Sequence, residues 1–88
     1  MISENEIEAS LLRKLYRMRC WGKHHISESN LPKGFPPEIR KKVIKAAENL
    51  RKKGLLLKHP THHENQWHLN WNKKDEIEII IRKYFHEG

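Results

Sequence analysis

Residues 37–54 constrain the fold most, because this stretch is amphipathic, strongly basic and bounded at both ends by residues that start or stop helices. Its apolar side chains recur at the spacing of one helix face: Ile39, Val43, Ala46, Ala47 and Leu50. Pro37 suits the first turn of a helix, and Gly54 is the residue preferred at a left-handed C-cap. The pattern predicts a helix over about 37–53 that buries one face and exposes the other.

The net charge of the chain is concentrated in that helix. The 88 residues carry 18 Lys and Arg against 11 Asp and Glu, for a net charge of +7. Residues 39–53 alone hold seven basic residues and one acidic residue, a net charge of +6. Lysine-rich helix faces in thermophile-type proteins are often only solvated surface, but such surfaces normally mix the two signs. The one-sided imbalance therefore favours contact with a polyanion.

The segment before the basic helix predicts a helix, a very short strand and a stiff turn. A capping box at Ser3 opens a first helix that closes at Trp21-Gly22. The short strand and a one-to-two-turn helix ending near Leu31 come next. Three prolines and a glycine within residues 31–37 then exclude regular helix and predict a turn.

The segment after the basic helix predicts a β-hairpin and a closing helix. Residues 55–58 and 66–71 are predicted to be strands on either side of a polar loop. Apolar and polar residues alternate along the second strand, so Trp67 and Trp71 are predicted to share its core face. A last helix follows over 72–88. Its apolar stripe consists of Ile77, Ile80, Ile81, Tyr84 and Phe85.

This predicted order of elements resembles a winged helix-turn-helix domain. The resemblance covers about residues 7–71 and is strongest over 43–56, where a helix ends in a Lys-Gly-Leu step, as it does before the wing in that family. It implies an α+β, mainly helical fold with a three-helix core, a β-hairpin wing and an additional C-terminal helix. We expect a single domain over 1–88, with the core and wing in 1–71 and a packing or dimerisation helix in 72–88. The long proline-rich turn departs from the short turn of the strict motif.

The resemblance and the charge both predict a nucleic-acid-binding protein, with duplex DNA favoured and transcription regulation as its role. A helix fits the major groove of DNA, and exposed Lys and Arg neutralise phosphates and release counterions. The candidate contacts on the recognition helix are Arg40, Lys41, Lys45, Asn49 and Lys52. Those that the resemblance implies for the wing are Lys58, His62, His63, Asn65 and Gln66. An RNA-binding or ribonucleoprotein-associated winged helix and a protein-interaction winged helix remain alternatives.

Other classes of function have little support in the sequence. Asp75 is the only aspartate and no glycine-rich phosphate loop is present, so an enzyme is not expected. Seven histidines invite a metal hypothesis, but the single cysteine excludes the common zinc-finger patterns, so we expect no metal and no other cofactor. An acidic N-terminus, one cysteine and short apolar runs predict a cytoplasmic protein with no membrane partner.

The first helix carries a second apolar stripe, which raises the question of a partner. Ala9, Leu12 and Tyr16 lie about opposite its other apolar residues, and Ile79 likewise points away from the main stripe of the last helix. Either the first helix is sandwiched between the rest of the domain and the last helix, or these helices form a homodimer interface. We predict a homodimer through the first and last helices.

Overall fold

The computed structural model describes residues 2–86, in which two helices contact a small sheet and a third packs against the first. The helices are α1 (Glu4–Arg17), α2 (Arg40–Lys52) and α3 (Lys74–Phe85). The predicted α+β, mainly helical class is confirmed. The ends of the predicted domain, at residues 1, 87 and 88, lie outside the described residues. No helix within residues 2–86 combines the length and apolar character that crossing a bilayer requires.

The sheet is antiparallel and has three strands in the order β1-β3-β2. These are β1 (Ile26–Ser27), β2 (Leu56–His59) and β3 (Gln66–Leu69). Trp67 and Leu69 of the central strand are fully buried in the core. Because side chains alternate along a strand, the intervening His68 points to the opposite side, which we call the outer face of the sheet.

The helix α1 lies in the centre of the molecule and is covered on more than one side. Its N-terminus is capped as predicted, since Ser3 Oγ accepts the backbone N–H of Glu6 at 3.2 Å. Ala9 and Leu12 are fully buried, and α1 packs against both α2 and α3. Of the two predicted explanations for the second apolar stripe, burial within the chain is the one observed. The homodimer stays a prediction. Among the apolar residues predicted for its interface, Ile79 is the one with a largely exposed side chain, at 62%.

The first helix ends at Arg17, four residues earlier than the predicted closure at Trp21-Gly22. Arg19 adopts a left-handed backbone conformation with φ 56°, which ends helical geometry. The N–H of Cys20 then donates to the carbonyl of Leu15 at 3.0 Å, so one of the last orphan carbonyls is satisfied.

The segment between β1 and α2 contains two single 3-10 turns, Glu28–Asn30 and Pro37–Ile39. The first of them stands where a helix of one to two turns was predicted. The segment is held by contacts that the sequence did not reveal. The ammonium group of Lys14 on α1 donates to three backbone carbonyls of this segment, those of Asn30 (2.6 Å), Leu31 (2.9 Å) and Lys33 (2.7 Å). Partial burial lowers the pKa of the Lys14 ammonium from its ordinary value.

The predicted core position of Trp71 is wrong. The strand β3 stops at Leu69, so the alternation that buries Trp67 does not extend to Trp71, which is 61% exposed. Trp71 belongs instead to a 3-10 turn, Trp71–Lys73. Asn70 caps that turn by accepting the N–H of Asn72 at 3.1 Å, and α3 begins at Lys74.

Candidate nucleic-acid interface

The helix α2 presents a basic face to solvent because its apolar residues turn the opposite face into the core. Val43, Ala46, Ala47 and Leu50 are all buried. Lys41, Lys42 and Lys52 are exposed, and no hydrogen bond or ion pair joins their ammonium groups to other residues in the described part of the chain, 2–86. Three charges of this face are therefore without a counter-charge.

The first turns of α1 supply acidic partners for other cations of α2. Lys45 lies 3.5 Å from Glu4, with both side chains 69% exposed. Lys53 lies 2.7 Å from Glu8, whose side chain is only 8% exposed. The net charge of +6 counted along residues 39–53 is thus partly offset by α1. An exposed pair such as Lys45 with Glu4 contributes little free energy, so Lys45 can exchange its partner for a phosphate.

Glu48 interrupts the basic face and holds two cations. Its carboxylate accepts from Arg51 at 2.9 Å and from Lys58 of β2 at 2.7 Å. The hydrogen bond from Lys58, followed by that from Arg51, holds the pKa of Glu48 below its ordinary value. The Lys58 ammonium also lies 5.5 Å from the centroid of the Trp67 ring. Lys58, predicted as a wing contact, therefore joins the hairpin to α2.

Arg40 and Asn49, the two residues predicted to read base edges, lie in different surroundings. Arg40 is exposed at the first turn of α2, and its Nε donates to the carbonyl of Phe35 at 3.1 Å. Asn49 is half-buried and lines a small cavity of about 110 Å³ between α2 and the start of α1, together with Lys42 and Lys45. The structure thus places Lys42 beside the candidate residues, although sequence reasoning had left it out.

The wing candidates separate into two groups. The Asn65 amide donates to Glu28 at 3.2 Å and the Gln66 amide donates to Ser27 Oγ at 2.9 Å, so both amides bond to residues in and beside β1. His62 and His63 are exposed in the loop between β2 and β3. Of the five predicted wing contacts, these two histidines have the most open side chains.

A groove of about 510 Å³ extends the basic surface to the N-terminal end of α2. It lies between α1 and the turn before α2, with Phe35 and Ile39 in its wall. Its cationic residues are Arg13, Lys14, Arg17 and Lys33. The first three of these cations lie in the second half of α1 and Lys33 lies in the proline-rich turn. Their position beside the proline-rich turn depends on how α1 and that turn pack.

Three histidines meet on the outer face of the sheet. Nε2 of His59 lies 2.8 Å from Nε2 of His68. His25 completes the group, which we call the histidine cluster, and one ring nitrogen of each residue lies within 4.8 Å of the others. Burial lowers the pKa of the His68 imidazole, although the hydrogen bond to its backbone neighbour Leu69 opposes this shift. This shift favours the neutral form of His68.

Comparisons with known proteins add no family to this description. A scan against protein-family models and searches of curated proteins and solved structures found no match for the chain.

Proposed function

We propose that this chain is a winged helix-turn-helix protein that binds nucleic acid, with α2 as the recognition helix in the major groove of duplex DNA. The order of elements supports this proposal: helix, strand, turn, helix and hairpin, with the sheet ordered β1-β3-β2. The hairpin of β2 and β3 then corresponds to the wing. Transcription regulation is the role that such binding serves.

The chain departs from the strict motif where its second helix should be. Only the 3-10 turn Glu28–Asn30 occupies that position. In the proposed interface, Lys14 performs the supporting role of the missing helix, because its three hydrogen bonds join α1 to the turn that precedes α2. The orientation of α2 then depends on this ammonium group.

The observation that carries the proposal is the set of uncompensated charges on α2. Lys41, Lys42 and Lys52 are exposed and have no counter-charge within residues 2–86, whereas acidic partners hold Lys53, Arg51 and Lys58. Lysines without a protein partner are available to replace the counterions of phosphates, and this exchange supplies most of the free energy of non-specific binding.

Specificity in this proposal depends on two side chains with more than one donor or acceptor. Asn49 suits bidentate hydrogen bonding to adenine and Arg40 suits guanine. Arg40 already uses Nε on Phe35, which leaves the two Nη groups for a base edge. His62 and His63 in the wing loop contact the flanking backbone.

The test is fluorescence anisotropy with random duplex DNA, single-stranded DNA and structured RNA at two salt concentrations. We expect duplex DNA to bind most tightly and every affinity to fall as salt rises. The double variant Lys41→Ala/Lys52→Ala should weaken binding to all duplex sequences and lower the slope of log K against log salt by about two, one per phosphate contact.

A control variant of equal net charge separates this interface from a general charge effect. Lys23→Ala/Lys83→Ala removes two lysines outside α2 and should change the salt slope much less. Equal losses of DNA affinity in the two double variants would mean that net charge alone attracts the polyanion. Tighter salt-dependent binding of RNA would assign the same face to RNA. Absence of salt-dependent binding to all three probes would contradict the proposal and leave a protein-interaction winged helix.

A further inference from the structure

The histidine cluster combines three segments that are distant in sequence. In the register that pairs Ile26 with Trp67, the preceding residue His25 lies opposite His68. His59 ends β2 on the other side of the central strand and is paired with Gln66, two residues before His68. The alternation of side chains puts all three histidines on the outer face. Pairing of both edge strands with β3 therefore brings the three rings together.

The three rings surround a common centre and do not form a column. Their centroids are 4.8 Å (His59 to His68), 5.0 Å (His25 to His68) and 5.3 Å (His25 to His59) apart, and their planes are within 20° of parallel. In a face-to-face column the centroids of the two outer rings would be twice as far apart as those of neighbouring rings, whereas these three distances are nearly equal. Three imidazoles bound to one Zn²⁺ at about 2.0–2.1 Å have centroids about 5 Å apart. The observed triangle has that size.

Backbone carbonyls orient two of the rings in the way that metal-binding histidines are oriented. Nδ1 of His68 donates to the carbonyl of Leu69 at 2.8 Å, which leaves the lone pair on Nε2. Nε2 of His25 donates to the carbonyl of Gly22 at 2.7 Å, which leaves the lone pair on Nδ1. A hydrogen bond from the non-coordinating nitrogen to a carbonyl sets the tautomer and increases the basicity of the ligand nitrogen.

We propose that His25, His59 and His68 form a binding site for one divalent transition-metal ion, with Zn²⁺ as the best-fitting ion and a fourth coordination position open to solvent. Three neutral imidazoles suit Zn²⁺, Cu²⁺ and Ni²⁺, and three protein ligands with one open position are typical of zinc sites that keep a water molecule. His25 and His59 are exposed, so an ion reaches the site directly from solvent.

Binding requires one proton to move and the three rings to reorient around the ion, because ligand nitrogens that lie within 4.8 Å of one another must all come to about 3.4 Å apart. Without metal, Nε2 of His59 donates to the lone pair of His68 across 2.8 Å. With metal, both nitrogens coordinate, the proton of His59 is carried on Nδ1, and the two nitrogens separate to about 3.4 Å, as tetrahedral geometry requires. The ion then connects the loop before β1 with both strands of the hairpin and holds the hairpin against the rest of the sheet.

The test is calorimetric titration of the untagged full chain with ZnCl₂ in a non-coordinating buffer. We expect one Zn²⁺ per chain and a thermal midpoint that rises with Zn²⁺ concentration. His59→Gln and His25→Gln, both at exposed positions, should weaken binding by about 10- to 100-fold or more. The matched control is His62→Gln/His63→Gln, which removes two exposed histidines outside the cluster and should bind Zn²⁺ like the parent.

Nitrogen NMR of the imidazole rings gives a second readout that does not depend on affinity. Zn²⁺ should change the chemical shifts of Nε2 of His68 and Nδ1 of His25, while Nδ1 of His68 keeps its proton. Absence of binding, or equal losses in the control and the cluster variants, would overturn the proposal. In that case the cluster is a hydrogen-bonded group that only packs on the sheet. The result is independent of the nucleic-acid proposal, because the parent and control variants are titrated without nucleic acid.

Discussion

The basic face of α2 and the histidine cluster are both polar surfaces, but they are assembled in different ways. The cations of the first belong to 13 consecutive residues, so helical periodicity alone directs them outward. The rings of the second come from the loop before β1, from β2 and from β3. Counting charges along the chain detects the first kind of surface. The second kind exists only once strand pairing and register are known.

The ligands that we propose for the two surfaces have opposite charges. Lys41, Lys42 and Lys52 present positive charges without counter-charges among the described residues 2–86, and such charges attract anions. The histidine cluster presents ring nitrogens, the ligand atoms that we propose bind a metal cation. Because different elements carry them, a substitution in one surface should leave the ligand of the other unaffected.

The largest effect should come from Lys14→Met, which removes the support of α2 and leaves the histidine cluster in place. The variant loses three hydrogen bonds from a charged group, and we expect the free energy of unfolding to fall by about 2–3 kcal/mol. Urea unfolding followed by tryptophan fluorescence measures the loss. At temperatures where the variant is folded, its affinity for duplex DNA should be lower and its affinity for Zn²⁺ unchanged.

Lys33→Met is the control for that variant, because its exposed side chain lies in the same region. A loss of stability in Lys33→Met equal to that in Lys14→Met would show that removal of any cation near the turn is sufficient. Weakened Zn²⁺ binding in Lys14→Met would show that the two surfaces are coupled.

A smaller effect of opposite sign is expected from Glu48→Gln. The substitution releases Lys58 and Arg51 from their carboxylate partner and adds one unit of positive charge to the face of α2. Affinity for duplex DNA should rise about threefold, and the salt slope should become steeper by up to about one. Glu76→Gln, an equal change in charge on α3, is the control. A decrease in DNA affinity for Glu48→Gln would place the DNA elsewhere.

The smallest effect is the pH dependence of the Glu48 ion pairs. The pKa of the Glu48 carboxyl is lowered in the folded chain. The contribution of Glu48 to stability is therefore present above its unfolded pKa and is lost as the pH falls through its folded pKa. Because the Glu48 side chain is 31% exposed and solvent screens the pairs, we expect the ion pairs to contribute less than about 1 kcal/mol to the free energy of unfolding. The difference in unfolding free energy between the parent and Glu48→Gln should be largest near pH 6 and should shrink as the pH falls below about 4.5. A difference of the same size at pH 6 and pH 3 would mean that the ion pairs are not its cause.

Local patterns accounted for most of the helices and for the hairpin. The Ser3 cap, the end of α2 before Gly54 and the burial of Trp67 follow from the sequence, since each depends on residues a few positions apart. Trp71 was misplaced because alternation cannot show where a strand stops. The early end of α1 was missed because Arg19 adopts a conformation that non-glycine residues rarely take.

The sequence by itself determined the class of fold, the apolar and basic faces of α2, and the excess of positive charge, because these depend on composition and on spacing within one element. Only the tertiary structure decided which charges are compensated, since Glu4 and Glu8 reach α2 through the packing of α1. It also decided that Lys14 supports the turn and that His25, His59 and His68 share a centre. These contacts join residues far apart in the chain, and the pairing of strands and helices creates them.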